Sequence, residues 1–168
     1  MWWSSRPFLA IVLALALAGC GFHPLYGERD RGPALEPELA SVAVDSIADR
    51  PGQILTNQLR DGFNPHALGV PIQYRLTVAL TRRVQNLMTR PNTSASRTDV
   101  YVQATWSLAR ASDHVVVLSG TSKAQSGHDV LANEYANVVS GQADLGDALT
   151  EIADDIQAQV ALWLGRPQ

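Results

Sequence analysis

Two stretches of period-two alternation constrain this chain most. Across residues 72–84, Ile72, Tyr74, Leu76, Val78, Leu80 and Val84 share one parity, and Gln73, Arg75, Thr77, Thr81 and Arg83 share the other. Residues 99–110 repeat the arrangement, with Val100, Val102, Ala104, Trp106 and Leu108 set against Tyr101, Gln103, Thr105 and Ser107. Successive side chains of a strand point to opposite faces, so each stretch reads as a strand with one apolar face. Such strands belong to an antiparallel sheet covered on one side only. Something apolar must supply the cover.

The C-terminal stretch can. Leu145, Leu149, Ile152, Ile156, Val160 and Trp163 recur every three or four residues, with Asp147, Glu151, Asp154 and Asp155 among them. This spacing predicts an amphipathic helix from about Asp144 to Leu164. A second helix is expected over Pro51–Phe63, where Ile54, Leu55, Leu59 and Phe63 fall near one face. Asp49 is placed to cap it, Pro51 suits its first turn, and Asn64-Pro65 ends it. Residues 39–45 (LASVAVD) read as a first strand and 114–124 (HVVVLSGTSKA) as a fourth, after a short turn at Ala111-Ser112-Asp113. Residues 85–98, polar and basic, read as a long hairpin tip. The expectation is an α+β domain, two helices packed on one face of a four-stranded, mainly antiparallel sheet. Gly141 and Gly146 lie where the last helix could begin, and each costs about 1 kcal/mol in a helix interior, which favours a late start.

The N-terminal end is of another kind. Residues 1–7 carry Arg6 and no acid, and residues 8–18 read FLAIVLALALA without a polar side chain. A charged end before a short apolar run is the layout of a secretory signal peptide. A membrane span needs about 20 apolar residues, so this run is too short to be one. It leads through Leu17-Ala18-Gly19 to Cys20, the only cysteine of the chain. That is the lipobox pattern, in which the thiol receives a diacylglycerol and cleavage makes Cys20 the first residue. The plain alternative is a cysteine in a core helix, which leaves the charged end and the apolar run unexplained. Several acyl chains anchor stably where one is marginal. Gly21, in place of an aspartate, points to the outer membrane, periplasmic side. With no second cysteine, no internal disulfide can form.

The organisation expected is a signal peptide over 1–19, a lipidated N-terminus and tether over 20–38, and a single α+β domain over 39–168. Within the tether, residues 27–37 (GERDRGPALEP) are charged and rich in proline and glycine. Thirteen Lys and Arg stand against sixteen Asp and Glu, a net charge of −3. Losing Arg6 with the signal peptide makes that −4, which argues against nucleic acid as a partner. The charge is unevenly spread. Residues 62–98 hold no acid but contain Arg75, Arg82, Arg83, Arg90 and Arg97, whereas residues 124–165 hold seven acids and no Lys or Arg.

No catalytic or metal-binding constellation is visible. His23, His66, His114 and His128 show no ligand spacing, and neither a nucleophile elbow nor a phosphate-binding loop occurs. His128-Asp129 beside several serines could serve a hydrolase only by assembly from distant positions, and a polar turn after the fourth strand is the simpler reading. The chain therefore reads as a binding or scaffolding protein, not an enzyme, with no cofactor beyond a covalent lipid on Cys20 and no metal. By parity Arg75 and Arg83 point away from the helices, while Arg82 falls on the apolar parity near the strand end. Arg75, Arg83, Arg90 and Arg97 are the candidates for an anion-facing patch on the open sheet face, because guanidinium groups hold phosphates and carboxylates in bidentate fashion.

These residues also carry a resemblance. Gly19-Cys20-Gly21-Phe22-His23-Pro24-Leu25-Tyr26-Gly27 resembles the mature start of the LPS-assembly lipoprotein LptE family. The resemblance continues through Arg50-Pro51-Gly52-Gln53 with Leu55 and Leu59, through Asn133-Glu134-Tyr135-Ala136, and through Leu149-Thr150-Glu151-Ile152-Ala153-Asp154-Asp155-Ile156. It implies a two-helix, four-strand fold held at the outer membrane by the N-terminal lipid. It further implies a plug in an LptD-type outer-membrane β-barrel, assistance in that barrel's assembly, and binding of lipopolysaccharide. The alternatives are an outer-membrane lipoprotein adaptor of another envelope complex, and a lipid-anchored hydrolase built on His128 or His114.

Overall fold

The structure, a computed structural model, describes residues 35–88, 96–130 and 133–166. Its elements are α1 (Leu35–Ala40), β1 (Val42–Val44), α2 (Asp49–Phe63), β2 (Tyr74–Met88), β3 (Ser96–Arg110), β4 (Val116–Val130) and α3 (Glu134–Leu164). The strands form one sheet in the order β1-β2-β3-β4, parallel between β1 and β2 and antiparallel elsewhere. The fold class is α+β, as the alternation demands. Cys20, Arg90 and the signal peptide lie outside the described residues.

Register places the apolar parity of each strand on a common face. Leu76 pairs with Leu108, Val78 with Trp106 and Val102 with Ala124, all of them buried. Leu55, Leu59 and Phe63 of α2 and Leu149, Ile152, Ile156 and Val160 of α3 close over this face, each 1% exposed or less. Trp106 is the largest side chain in the core, and its Nε1–H donates to Ser122 Oγ at 3.1 Å. Its ring reaches across to β4 because Gly120 stands opposite; a Cβ there would lie 2.6 Å from indole Cζ2.

Both long helices run toward one end of the sheet, the base. There Tyr74 pairs with Arg110 and its ring meets Trp163 edge-on at 5.4 Å. The opposite end, the tip, is where Met88 pairs with Ser96. At 1.5 Å per residue the 31-residue α3 spans about 46 Å and the 15-residue α2 about 22 Å, so α2 covers only the basal half of the sheet.

Several boundaries differ from the expectation. A short helix, α1, occupies residues assigned to the end of the tether and the start of the first strand. Leu35 and Leu39 are four residues apart and pack inward, and Ser41 Oγ closes the turn on the Glu38 carbonyl at 2.6 Å. β1 keeps only the three residues that pair with β2. Asp49 does not cap α2: Ala48 holds the cap position without a side-chain acceptor, and Asp49 is the first helical residue at φ 67°. Ile54 turns partly outward, its place on the buried face taken by Gly52 and Thr56.

Both ends of the stretch expected as a hairpin tip, residues 85–98, belong to strands, since β2 runs to Met88 and β3 starts at Ser96. Alternation fails there since no helix covers that part of β2; polar cross-strand bonds replace it, such as Thr98 Oγ1 to Asn86 Oδ1 at 3.0 Å. α3 starts ten residues earlier than Asp144, at Glu134. Asn133 caps it, its Oδ1 accepting from the N–H groups of Tyr135 (3.0 Å) and Ala136 (3.4 Å).

Candidate functional site

The open face of the sheet carries the odd-numbered side chains. Two rows cross its centre, Thr81–Gln103–Lys123 and Arg83–Tyr101–Gln125. Strands lie about 4.8 Å apart, so Arg83 and Lys123 stand on opposite sides of Tyr101 and Gln103. All four line a shallow depression of about 410 Å³. Neither cation makes a salt bridge among the described residues. Two unpaired cations flanking an aromatic ring and an amide form a site for an anionic, partly apolar ligand.

Two of the other candidates, Arg75 and Arg97, are engaged. Arg75 Nη1 donates to Asp45 Oδ1 at 2.6 Å, and Thr77 Oγ1 donates to Asp45 Oδ2 at 2.9 Å. Partial burial pushes the Asp45 carboxyl up, but these two hydrogen bonds and the Arg75 charge outweigh it and hold the group below its ordinary 3.8. Arg97 Nε donates to Asp99 Oδ1 at 2.8 Å, and its Nη1 lies 3.9 Å from Asp129. That hydrogen bond and the charge of Asp99 raise the Arg97 pKa further above its ordinary value. Asp99 is only 4% exposed on this otherwise open face. Its carboxylate rests against Gly127, the residue across from it, where a Cβ would collide with Oδ1.

The structure thus separates the three candidate arginines among the described residues. Arg75 lies eight residues from Arg83 along β2, about 26 Å, and Arg97 is tied to its own acids toward the tip. Arg83 is grouped instead with Lys123. Sequence reasoning missed Lys123 because it stands alone on β4, two strands away. The signal was its parity, opposite to the buried Ser122 and Ala124.

His128 packs on the helix side. Its Nδ1 lies 2.5 Å from Asp144 Oδ2, and Ser126 Oγ donates to Asp144 Oδ1 at 3.2 Å. The serine therefore reaches the aspartate and not the imidazole, so Ser126 does not present its hydroxyl to His128 as a base. His114 sits at the other end, in the β3–β4 turn at φ 59°, and His66 pairs with Glu36 at 2.7 Å. Among the described residues no three His, Cys, Asp or Glu side chains gather where they could hold a metal. No described helix is long and apolar enough to cross a membrane.

No family model matches this chain. No curated protein matches it in sequence. Solved structures do match in fold. A putative lipoprotein from Caulobacter crescentus superposes with a TM-score of 0.65 at 24% identity, over 79% of this chain and 98% of that one. A minor lipoprotein from Acinetobacter baumannii gives 0.60 at 14% identity, covering 76% and 98%. The rare lipoprotein B from Shewanella oneidensis gives 0.50 at 11%, covering 73% and 94%. At these identities the shared property is the fold, one adopted by proteins described as lipoproteins in Gram-negative bacteria.

Proposed function

We propose that this chain is a lipid-anchored lipoprotein of the outer membrane, acylated at Cys20, that serves as the lipoprotein subunit of a lipopolysaccharide translocon. In this reading it plugs an LptD-type β-barrel from the periplasmic side, assists its assembly, and binds lipopolysaccharide on the open sheet face. The observation that carries the reading is Arg83 and Lys123 standing without carboxylate partners around Tyr101, on a fold shared with Gram-negative lipoproteins. Guanidinium and ammonium groups suit the phosphates and acidic sugars of that ligand, and the ring offers its face to a sugar. Arg75 and Arg97 would join only by giving up Asp45 and Asp99. Arg90, outside the described residues, stays a candidate on charge pattern alone.

Affinity purification of the tagged protein from detergent-solubilised outer membranes tests this reading. A stoichiometric large β-barrel carrying lipopolysaccharide is the expected co-purifying partner. Recovery of the lipoprotein alone, or with periplasmic proteins only, would overturn the translocon assignment and favour an adaptor of another envelope complex.

A further inference from the structure

β1 stops after three residues, whereas its neighbour β2 runs for fifteen. The last bond between them runs from the Asp45 N–H to the Leu76 carbonyl at 2.9 Å, and the Tyr74 N–H reaches the Ser41 carbonyl at 3.3 Å. A strand residue points its N–H and C=O to the same side, and the side alternates along the strand. Even-numbered residues of β2 therefore face outward and odd-numbered ones face β3. Beyond Leu76 the chain leaves the sheet and turns at Asp49 into α2. The outward backbone groups of Val78, Leu80, Arg82, Val84 and Asn86 meet no strand among the described residues.

A free edge of this length is a template for pairing. Residues 78–84 (VALTRRV) contain no proline or glycine, and residues 62–98 contain no carboxylate. Arg82 and Arg83 sit in the middle of the edge without an ion pair among the described residues. Two copies joined through this edge about its centre would oppose these arginines to each other, a destabilising arrangement. An acidic strand turns the same arginines into contacts. On the helix side, one beside the first turn of α2 and one beyond it, two grooves of about 580 and 510 Å³ share Arg82 and Leu145. Their walls include Ile47 and Leu80 in one and Val84 and Val138 in the other.

We propose that the upper edge of β2, from Val78 to Asn86, is a strand-addition site for an extended segment of a partner protein in which apolar and acidic residues alternate. Its backbone bonds the five outward positions. Its apolar side chains lie over the two grooves, and its carboxylates meet Arg83 on the open face. Its backbone bonds and helix-side grooves do not rest on the lipopolysaccharide reading, although it shares Arg83 with the open-face depression.

The test is residue-resolved amide hydrogen exchange on the full lipidated protein in detergent, with a ten-residue peptide of alternating valine and glutamate as the probe. In the free protein, the amides of Val78, Leu80, Arg82, Val84 and Asn86 should exchange at least tenfold faster than those of Thr77, Ala79, Thr81, Arg83 and Gln85. The probe should slow the first set at least tenfold. A valine–lysine peptide, or the same probe N-methylated at alternate residues, should not. Arg82→Glu with Arg83→Glu should weaken the probe tenfold or more, with the odd-numbered amides still protected as proof that the sheet is intact. Protection of the even-numbered amides in the free protein would overturn the proposal. If independent of dilution it would mean that another part of this chain covers the edge; if lost on dilution, a second copy. Equal protection by both charged peptides, or none by either, would overturn it as well.

Discussion

Asp45 stands where β1 leaves the sheet, and its two carboxylate oxygens divide between Arg75 and Thr77. Because its pKa is below 3.8 in the folded chain, ionised Asp45 favours folding. That contribution is complete above the ordinary carboxylate value and is lost as pH falls through the folded one. Arg75 is half exposed, so solvent screening keeps the contribution small. Melting curves of the wild type and Asp45→Asn should differ most above about pH 5 and converge as pH falls through the lowered value of the folded carboxyl, below which both carry a neutral side chain. A constant gap across that range would refute the assignment. In the core the stakes are larger. Ser122 is 1% exposed and its hydroxyl is the partner of the Trp106 indole N–H. Ser122→Ala should cost roughly 1–3 kcal/mol in urea unfolding, since it leaves a buried donor unmet. Gly120→Ala should perturb Trp106 fluorescence as well, because the added methyl has to displace the ring.

At the scale of elements, α3 shows what periodicity reveals and what it hides. From Leu145 to Val160 its apolar residues meet a covered sheet, so their spacing was readable from the sequence. From Glu134 to Asp144 the helix is held by the local cap of Asn133 and by Asp144 bound to His128 and Ser126, 16 and 18 residues away. No apolar stripe records such bonds, and Gly141 and Gly146 pointed to a later start. The extended ends of β2 and β3 were hidden for the same reason, through pairs such as Asn86 and Thr98. Nothing lies within 4 Å of a Cβ placed on Gly146, whereas one on Gly141 would only touch the His128 ring at 3.8 Å. Gly146→Ala should therefore stabilise the protein by up to about 1 kcal/mol. Asn133→Ala should destabilise it by about the same amount. Urea titration of the pair distinguishes a continuous helix from one that begins at Asp144, in which case Asn133→Ala would have no effect.

Over the whole described unit, charge follows the two faces of the sheet. Asp147, Glu151, Asp154 and Asp155 are exposed along α3, on the helix side, while Arg83 and Lys123 occupy the open face. A net charge of −3 hides this arrangement, because a total does not record on which face a charge stands. Strand parity did place Arg83 on the open face, but the grouping with Lys123 required the β3–β4 register, which no local pattern encodes. The division predicts how substitutions separate binding from folding. Arg83 and Lys123 have no partner acids to strand, so Arg83→Glu with Lys123→Glu should leave the melting temperature nearly unchanged. The same pair should weaken binding of purified lipopolysaccharide at least tenfold, and the wild-type affinity should fall as salt rises, since exposed charges are screened within about 10 Å at 0.1 M. Arg75→Glu should behave differently, lowering stability through loss of the Asp45 pair while changing lipopolysaccharide binding little. If Arg75→Glu and the double substitution weaken binding equally, the ligand lies along the whole length of β2, and the central depression is not its seat.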